Sequence, residues 1–141
     1  MTALAAGTAR KTRNDAGIKF ATYVMTASQT IYEGSLVMLT TSTQLALPGA
    51  DTASCTFVGI ATHTATSAAS GTTYITVKYG HEELMDTAAT LVGTVNTSVC
   101  ISDSNVVDVI GTTTNDVKVG PVVYAPSTTT AWIHIRGASP L

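Results

Sequence analysis

Residues 30–49 read TIYEGSLVMLTTSTQLALPG, and the alternation within that stretch decides the class of fold. SLVMLT is an apolar run of the length a buried strand takes, TTST supplies turn formers, and QLAL alternates polar with apolar before Pro48 and Gly49 end it. Two strands joined by a turn are the expectation. The rest of the 141-residue chain uses the same vocabulary: only 11% of residues are charged, against roughly 25% in an average soluble domain. Thr, Ser, Ala and Gly take the place of the missing charge. Thr and Val lose rotamer freedom in a helix and sit well on a pleated surface, so the composition predicts a β protein with almost no helix.

Read in both directions from there, further strands are expected at IKFATYVM (18–25), TFVGIAT (56–62), TYITVKY (73–79), HEELMD (81–86), SVCIS (98–102), VVDVI (106–110), VKVGPVVYA (117–125) and AWIHIR (131–136). Turn-rich pieces such as LPGADTAS, ATSAASGT, SDSN, GTTTND and APSTTT separate them. Many short strands at near-regular spacing predict an all-β fold: a single compact β-sandwich or barrel-like domain over residues 20–141, preceded by an extended N-terminal arm over residues 1–19. At most one short helix is expected, at HEELMDTAATLV, whose acidic start and good helix formers offer an alternative to the strand. A chain of this length buries a core covering about two-thirds of its unfolded surface, without help from a disulfide or a metal.

A weak internal repeat supports this picture. VMLTTSTQLALPGADTASCTFVG (37–59) can be laid over VCISDSNVVDVIGTTTNDVKVG (99–120) with one gap, which places Gly49 on Gly111 and Gly59 on Gly120. Both copies read strand, polar turn, strand, polar loop, strand with Val-Gly. A glycine inside a strand pattern predicts a bulge or a close backbone approach.

The net charge of −2 is unevenly spread. Arg10, Lys11, Arg13 and Lys19 against Asp15 give residues 1–19 a balance of +3, and the remainder carries −5. A basic arm ahead of an acidic body is read as an arm that docks on an acidic partner surface, against the alternative of a solvated tail. So thin a coat of charge protects a free monomer poorly, which favours life in an assembly over a soluble domain solvated by hydroxyls. Nucleic-acid binding is not expected, since three clustered bases make no basic domain face. No run approaches the ~18 apolar residues of a membrane-spanning helix, and MTALAAGTARKTRND lacks the layout of a signal peptide. Cys55 and Cys100 lie in no metal or redox spacing and read as reduced thiols, Cys100 as a small core residue.

Candidate chemistry is sparse. His81-Glu82-Glu83-Leu84-Met85 begins like the zinc-protease helix, but Met85 stands where the second histidine is required. SDSNVVD (102–108) offers Asp103, Asn105 and Asp108 without the glycine and terminal glutamate of a calcium loop, and reads as a hairpin turn. There is no nucleophile elbow, phosphate loop or dinucleotide fingerprint. Trp132 and the tyrosines are read first as core or interface anchors and second as sugar-stacking platforms. No catalytic residue, cofactor or metal is expected.

The order of motifs resembles the capsid decoration, or cement, proteins of tailed bacteriophages. The likeness runs over residues 20–137 and is carried by TYVMTASQTIYEGSLVML, by TFVGIATHTATSAASGTTYITVKYG and by VKVGPVVYAPSTTTAWIHIRG. It implies a non-enzymatic, β-rich virion protein on the outer surface of the mature capsid, made in the host bacterial cytoplasm. It also implies the major capsid protein as partner, self-association with a homotrimer favoured over a homodimer, and an N-terminal segment that contacts the shell. That segment falls on Thr8 to Lys19, with Arg10, Lys11, Arg13 and Lys19 as capsid-binding residues. The alternative is a phage head-fibre or carbohydrate-binding β-domain for attachment to the host surface.

Overall fold

The computed structural model of the protein describes residues 4–7 and 9–136. Residues 1–3 and Thr8 of the expected arm, and residues 137–141 of the expected domain, lie outside the described residues. The described residues form thirteen strands: β1 (Thr12–Arg13), β2 (Lys19–Val24), β3 (Thr30–Ile31), β4 (Leu36–Thr40), β5 (Ala46–Pro48), β6 (Cys55–Ala61), β7 (Ala65–Thr66), β8 (Tyr74–Tyr79), β9 (Glu82–Thr87), β10 (Ser98–Ile101), β11 (Val106–Val109), β12 (Lys118–Tyr124) and β13 (Thr130–His134). The fold is all-β, and among the described residues its one helical piece is the 3-10 turn Asp15–Gly17. HEELMD is a strand, not a helix. It takes β13 along one side, with β1 and then β11 along the other, so ladder hydrogen bonds on both flanks outweigh local helix propensity. The short strands β1, β3 and β7 carry no apolar run and were not foreseen.

Two curled sheets share one plan. In the N-terminal sheet the order is β2-β8-β6-β4-β5, and its ends meet at a parallel bridge between Met25 and Ala46. In the C-terminal sheet β9, β13, β12, β10 and β11 follow in the same order, and β11 returns to β9 in parallel to close a barrel. The repeat seen in sequence is therefore a repeat of topology. Val37 pairs with Gly59 and Met38 then with Phe57, while Val99 pairs with Gly120 and Cys100 then with Lys118. The register slips at the same step in both sheets, so each expected Val-Gly glycine marks a bulge.

Strand alternation decides what is buried. In β8, Ile75 and Val77 point inward while Tyr74 and Thr76 point out; in β13, Ala131 and Ile133 point inward. One apolar cluster, with Met25, Ile31, Val37, Val58, Ile75 and Val77, fills the N-terminal sheet. A larger one combines the barrel interior, including Met85, Val99, Val119 and Ile133, with Leu36, Met38, Phe57 and Ile60 from the outer face of β4 and β6. That outer face is apolar because the barrel covers it, and the two sheets are thereby joined through a continuous core. Both cysteines are free, and Cys100 is buried on β10 as expected.

Candidate functional site

The four residues expected to meet a partner are divided by the structure into two pairs. Lys11 and Lys19 are exposed. Arg10 and Arg13 instead hold the arm against its own body. Arg10 Nε donates to the Gly34 carbonyl at 2.7 Å, and its Nη2 donates to Asn105 Oδ1 at 2.7 Å, on the turn between β10 and β11. Burial draws the Arg10 guanidinium below its ordinary value, opposed by the charges of Glu83, Asp86 and Asp103. The Leu4 amide donates to Ser104 Oγ on the same turn at 3.1 Å. The Asn105 amide in turn donates to Asp103 Oδ1 at 2.8 Å, as the hairpin-turn reading of SDSNVVD requires.

Arg13 lies on β1, which pairs Thr12 with Glu83 and Arg13 with Glu82. Its Nε donates to Glu82 Oε1 at 2.6 Å, and its guanidinium sits 4.3 Å from the centre of the Trp132 ring. Asn14 Nδ2 donates to the other Glu82 oxygen. Burial alone raises the Glu82 carboxyl, but hydrogen bonds from Arg13 and Asn14 and the charges of Arg13 and His134 outweigh it and hold it below the usual carboxylate range. A carboxyl whose value drops on folding adds stability above its unfolded value of ~4.3 and loses it as pH falls through the folded value. Glu82→Gln is therefore expected to cost about 1 kcal/mol at neutral pH and nothing in strong acid. Urea denaturation of both proteins across that pH range measures the gap, and a gap that persists in acid contradicts the pairing.

Behind the arm lies a buried ionic cluster that sequence reasoning missed. His81 Nε2 meets Glu83 Oε1 at 2.6 Å, and Lys78 Nζ approaches the same oxygen at 3.3 Å. The His81 and Glu83 side chains are fully buried. Lys78 comes from β8 and Glu83 from β9, so the cluster ties the N-terminal sheet to the barrel. The signal available in sequence was the period of two in His81, Glu83 and Met85, which puts all three on one strand face. Two adjacent acids suit a surface strand, and nothing local announces the partner that buries Glu83. Among the described residues no group of three or more His, Cys, Asp or Glu side chains has metal-binding geometry.

Among the described residues, two of the six exposed large apolar side chains share another surface. Phe20 is 64% exposed and Tyr74 58% exposed. Phe20 pairs with Lys78, Thr22 with Thr76 and Val24 with Tyr74, so the outer face of β2 and β8 presents two aromatic rings around a threonine ladder. Trp132, read with the tyrosines as a candidate stacking platform, carries Arg13 over its ring. Compared with known proteins, the chain matches no protein-family model and no curated protein.

Proposed function

We propose that the protein is a structural virion component that binds the exterior of a mature icosahedral phage capsid and stabilises it, without catalytic activity. The observation that carries the reading is the order of the three quoted motifs, from TYVM through VGIA to AWIHIR, along a chain that folds as an all-β body. A thin coat of charge and the exposed Phe20 and Tyr74 suit a surface that is covered in an assembly. The partners are the major capsid protein and further copies of this chain, a homotrimer rather than a homodimer. A ligand that binds only the mature shell stabilises that shell by mass action, and many weak contacts over a lattice gain through avidity. In this reading Lys11 and Lys19 supply ionic contact to the shell, while Arg10 and Arg13 keep the arm in shape. The carbohydrate-binding reading is less well supported, because the Trp132 ring is already engaged by Arg13.

Co-sedimentation with expanded capsids stripped of their decoration tests the proposal. Saturable binding at a fixed ratio to capsid subunits is expected, weakened on the order of tenfold by Lys11→Glu. Absence of binding by the intact protein would overturn the reading. Deleting residues 1–19 also removes β1 and the partners of Glu82, so that variant is informative only beside a thermal melt showing that it folds.

A further inference from the structure

Between the N-terminal sheet and the barrel lies a cleft of about 830 Å³. Phe57 and Tyr79 form part of its wall, and Lys19, Lys118, His134 and Arg136 also line it. Among the described residues no aspartate or glutamate does so. The chain as a whole is acidic, yet three of its seven Lys and Arg residues meet here. Strand ends bring them together: Lys19 opens β2, Lys118 opens β12, and His134 closes β13. The Arg136 amide donates to the Val119 carbonyl at 3.4 Å, which ties the segment after β13 to β12.

Arg13 and Lys78 are each matched to a carboxylate and Arg10 is held by the Gly34 carbonyl and Asn105, whereas among the described residues Lys19, Lys118 and Arg136, like Lys11 on the arm, form no ion pair. Two acids feel the rim. Asp116 is held below its usual value first by the Gly111 amide and the Thr113 hydroxyl, with Lys118 a lesser cause. Glu82 feels His134, but its oxygens are taken by Arg13 and Asn14. A positive field that these two acids offset only in part therefore falls on a concave surface, where low-dielectric walls focus it.

We propose that this cleft is a docking site for an acidic peptide segment of a partner protein, one that carries an apolar side chain among its carboxylates. The volume lies in the range that encloses a ligand of several groups. An apolar side chain would pack against the half-buried Tyr79 ring, beneath which Phe57 belongs to the core, while carboxylates reach the lysines and Arg136 through charge-assisted hydrogen bonds. A polyanionic sugar fits less well, because it would leave the apolar wall uncovered and the exposed rings of Phe20 and Tyr74 lie elsewhere. The proposal rests on the capsid reading only for the identity of the partner, which would then contact the protein here as well as at the arm.

Fluorescence anisotropy with a labelled peptide alternating Glu with Leu and Phe tests the site, beside the same peptide with Gln for Glu and a heparin oligosaccharide. Lys118→Gln with Arg136→Gln is the variant, both side chains being exposed, and a thermal melt checks its fold. The wild type is expected to bind the Glu peptide at least about tenfold more tightly than it binds the Gln peptide or than the double variant binds the Glu peptide, with affinity falling as salt rises. Equal binding of the two peptides, equal binding by the two proteins, or no binding overturns the proposal; so does cleft-dependent binding of heparin alone. Co-sedimentation separates this from the capsid reading. Wild type that fails to sediment with capsids removes that reading and leaves the peptide assay to judge the cleft; wild type that sediments while peptide binding ignores the variant removes the cleft alone.

Discussion

Gly120→Ala is expected to destabilise the protein by more than about 4 kcal/mol, enough to prevent the barrel from forming in a marginally stable domain. A Cβ at this position would overlap the backbone carbonyl oxygen of His134 on the neighbouring strand. Backbone cannot swing aside as the tip of a flexible side chain can, so either the β12–β13 ladder opens or the bulge at Val99 and Gly120 is lost. The topological counterpart is milder. At Gly59 a Cβ would stand 2.7 Å from the Lys78 carbonyl and 3.0 Å from Val77 Cβ, at a φ of +150°, and Gly59→Ala is expected to cost about 2–3 kcal/mol. Gly111 is the control, because nothing lies within 4 Å of its added Cβ and only its φ of +97° resists substitution. That change should cost about 1 kcal/mol. Urea denaturation followed by circular dichroism ranks the three variants. A Gly120→Ala protein as stable as Gly111→Ala would show that the two strands do not approach as described.

The second large effect is expected at Glu83. Glu83→Ala removes the carboxylate that faces His81 and Lys78 and leaves a buried imidazole and a half-buried ammonium without their partner. Breaking a buried ion pair from one side costs about 3–5 kcal/mol, because the remaining charge has lost both water and its counter-ion. Replacing the whole cluster is different, since a well-packed apolar set can match a buried ion pair. Lys78→Met, His81→Leu and Glu83→Leu combined should therefore recover most of what Glu83→Ala loses. A Glu83→Ala protein that melts with the wild type, or a triple variant less stable than the single, would remove the cluster from the list of groups that hold the two sheets together.

Much of the fold was legible because it depends on local pattern. TYITVKY and AWIHIR read as strands, the period of two in them agrees with the burial of Ile75, Val77 and Ile133, and the glycines of the two Val-Gly pairs fell on the two bulges. Even the topological repeat was visible in the alignment of residues 37–59 with 99–120. The arm was legible as a basic stretch, but not as one whose Arg10 and Arg13 are engaged by the body. Their partners, Gly34, Asn105 and Glu82, lie from 24 to 95 positions away in sequence. Charge pattern gives sign and place along the chain; it carries no record of which opposite charge the folded backbone brings near.

The sequence by itself determined the all-β class, the positions of most of the longer strands, and which alternating residues can face a core, because backbone propensity and side-chain period act over a few neighbouring residues. Tertiary structure decided that β11 returns to β9 to close a barrel, that Glu83 is buried on a strand whose composition suits a surface, and that Lys19, Lys118 and Arg136 converge on one cleft. Those outcomes depend on hydrogen-bond pairing and charge proximity between segments far apart in the chain, and such distances come into being only when the two sheets pack.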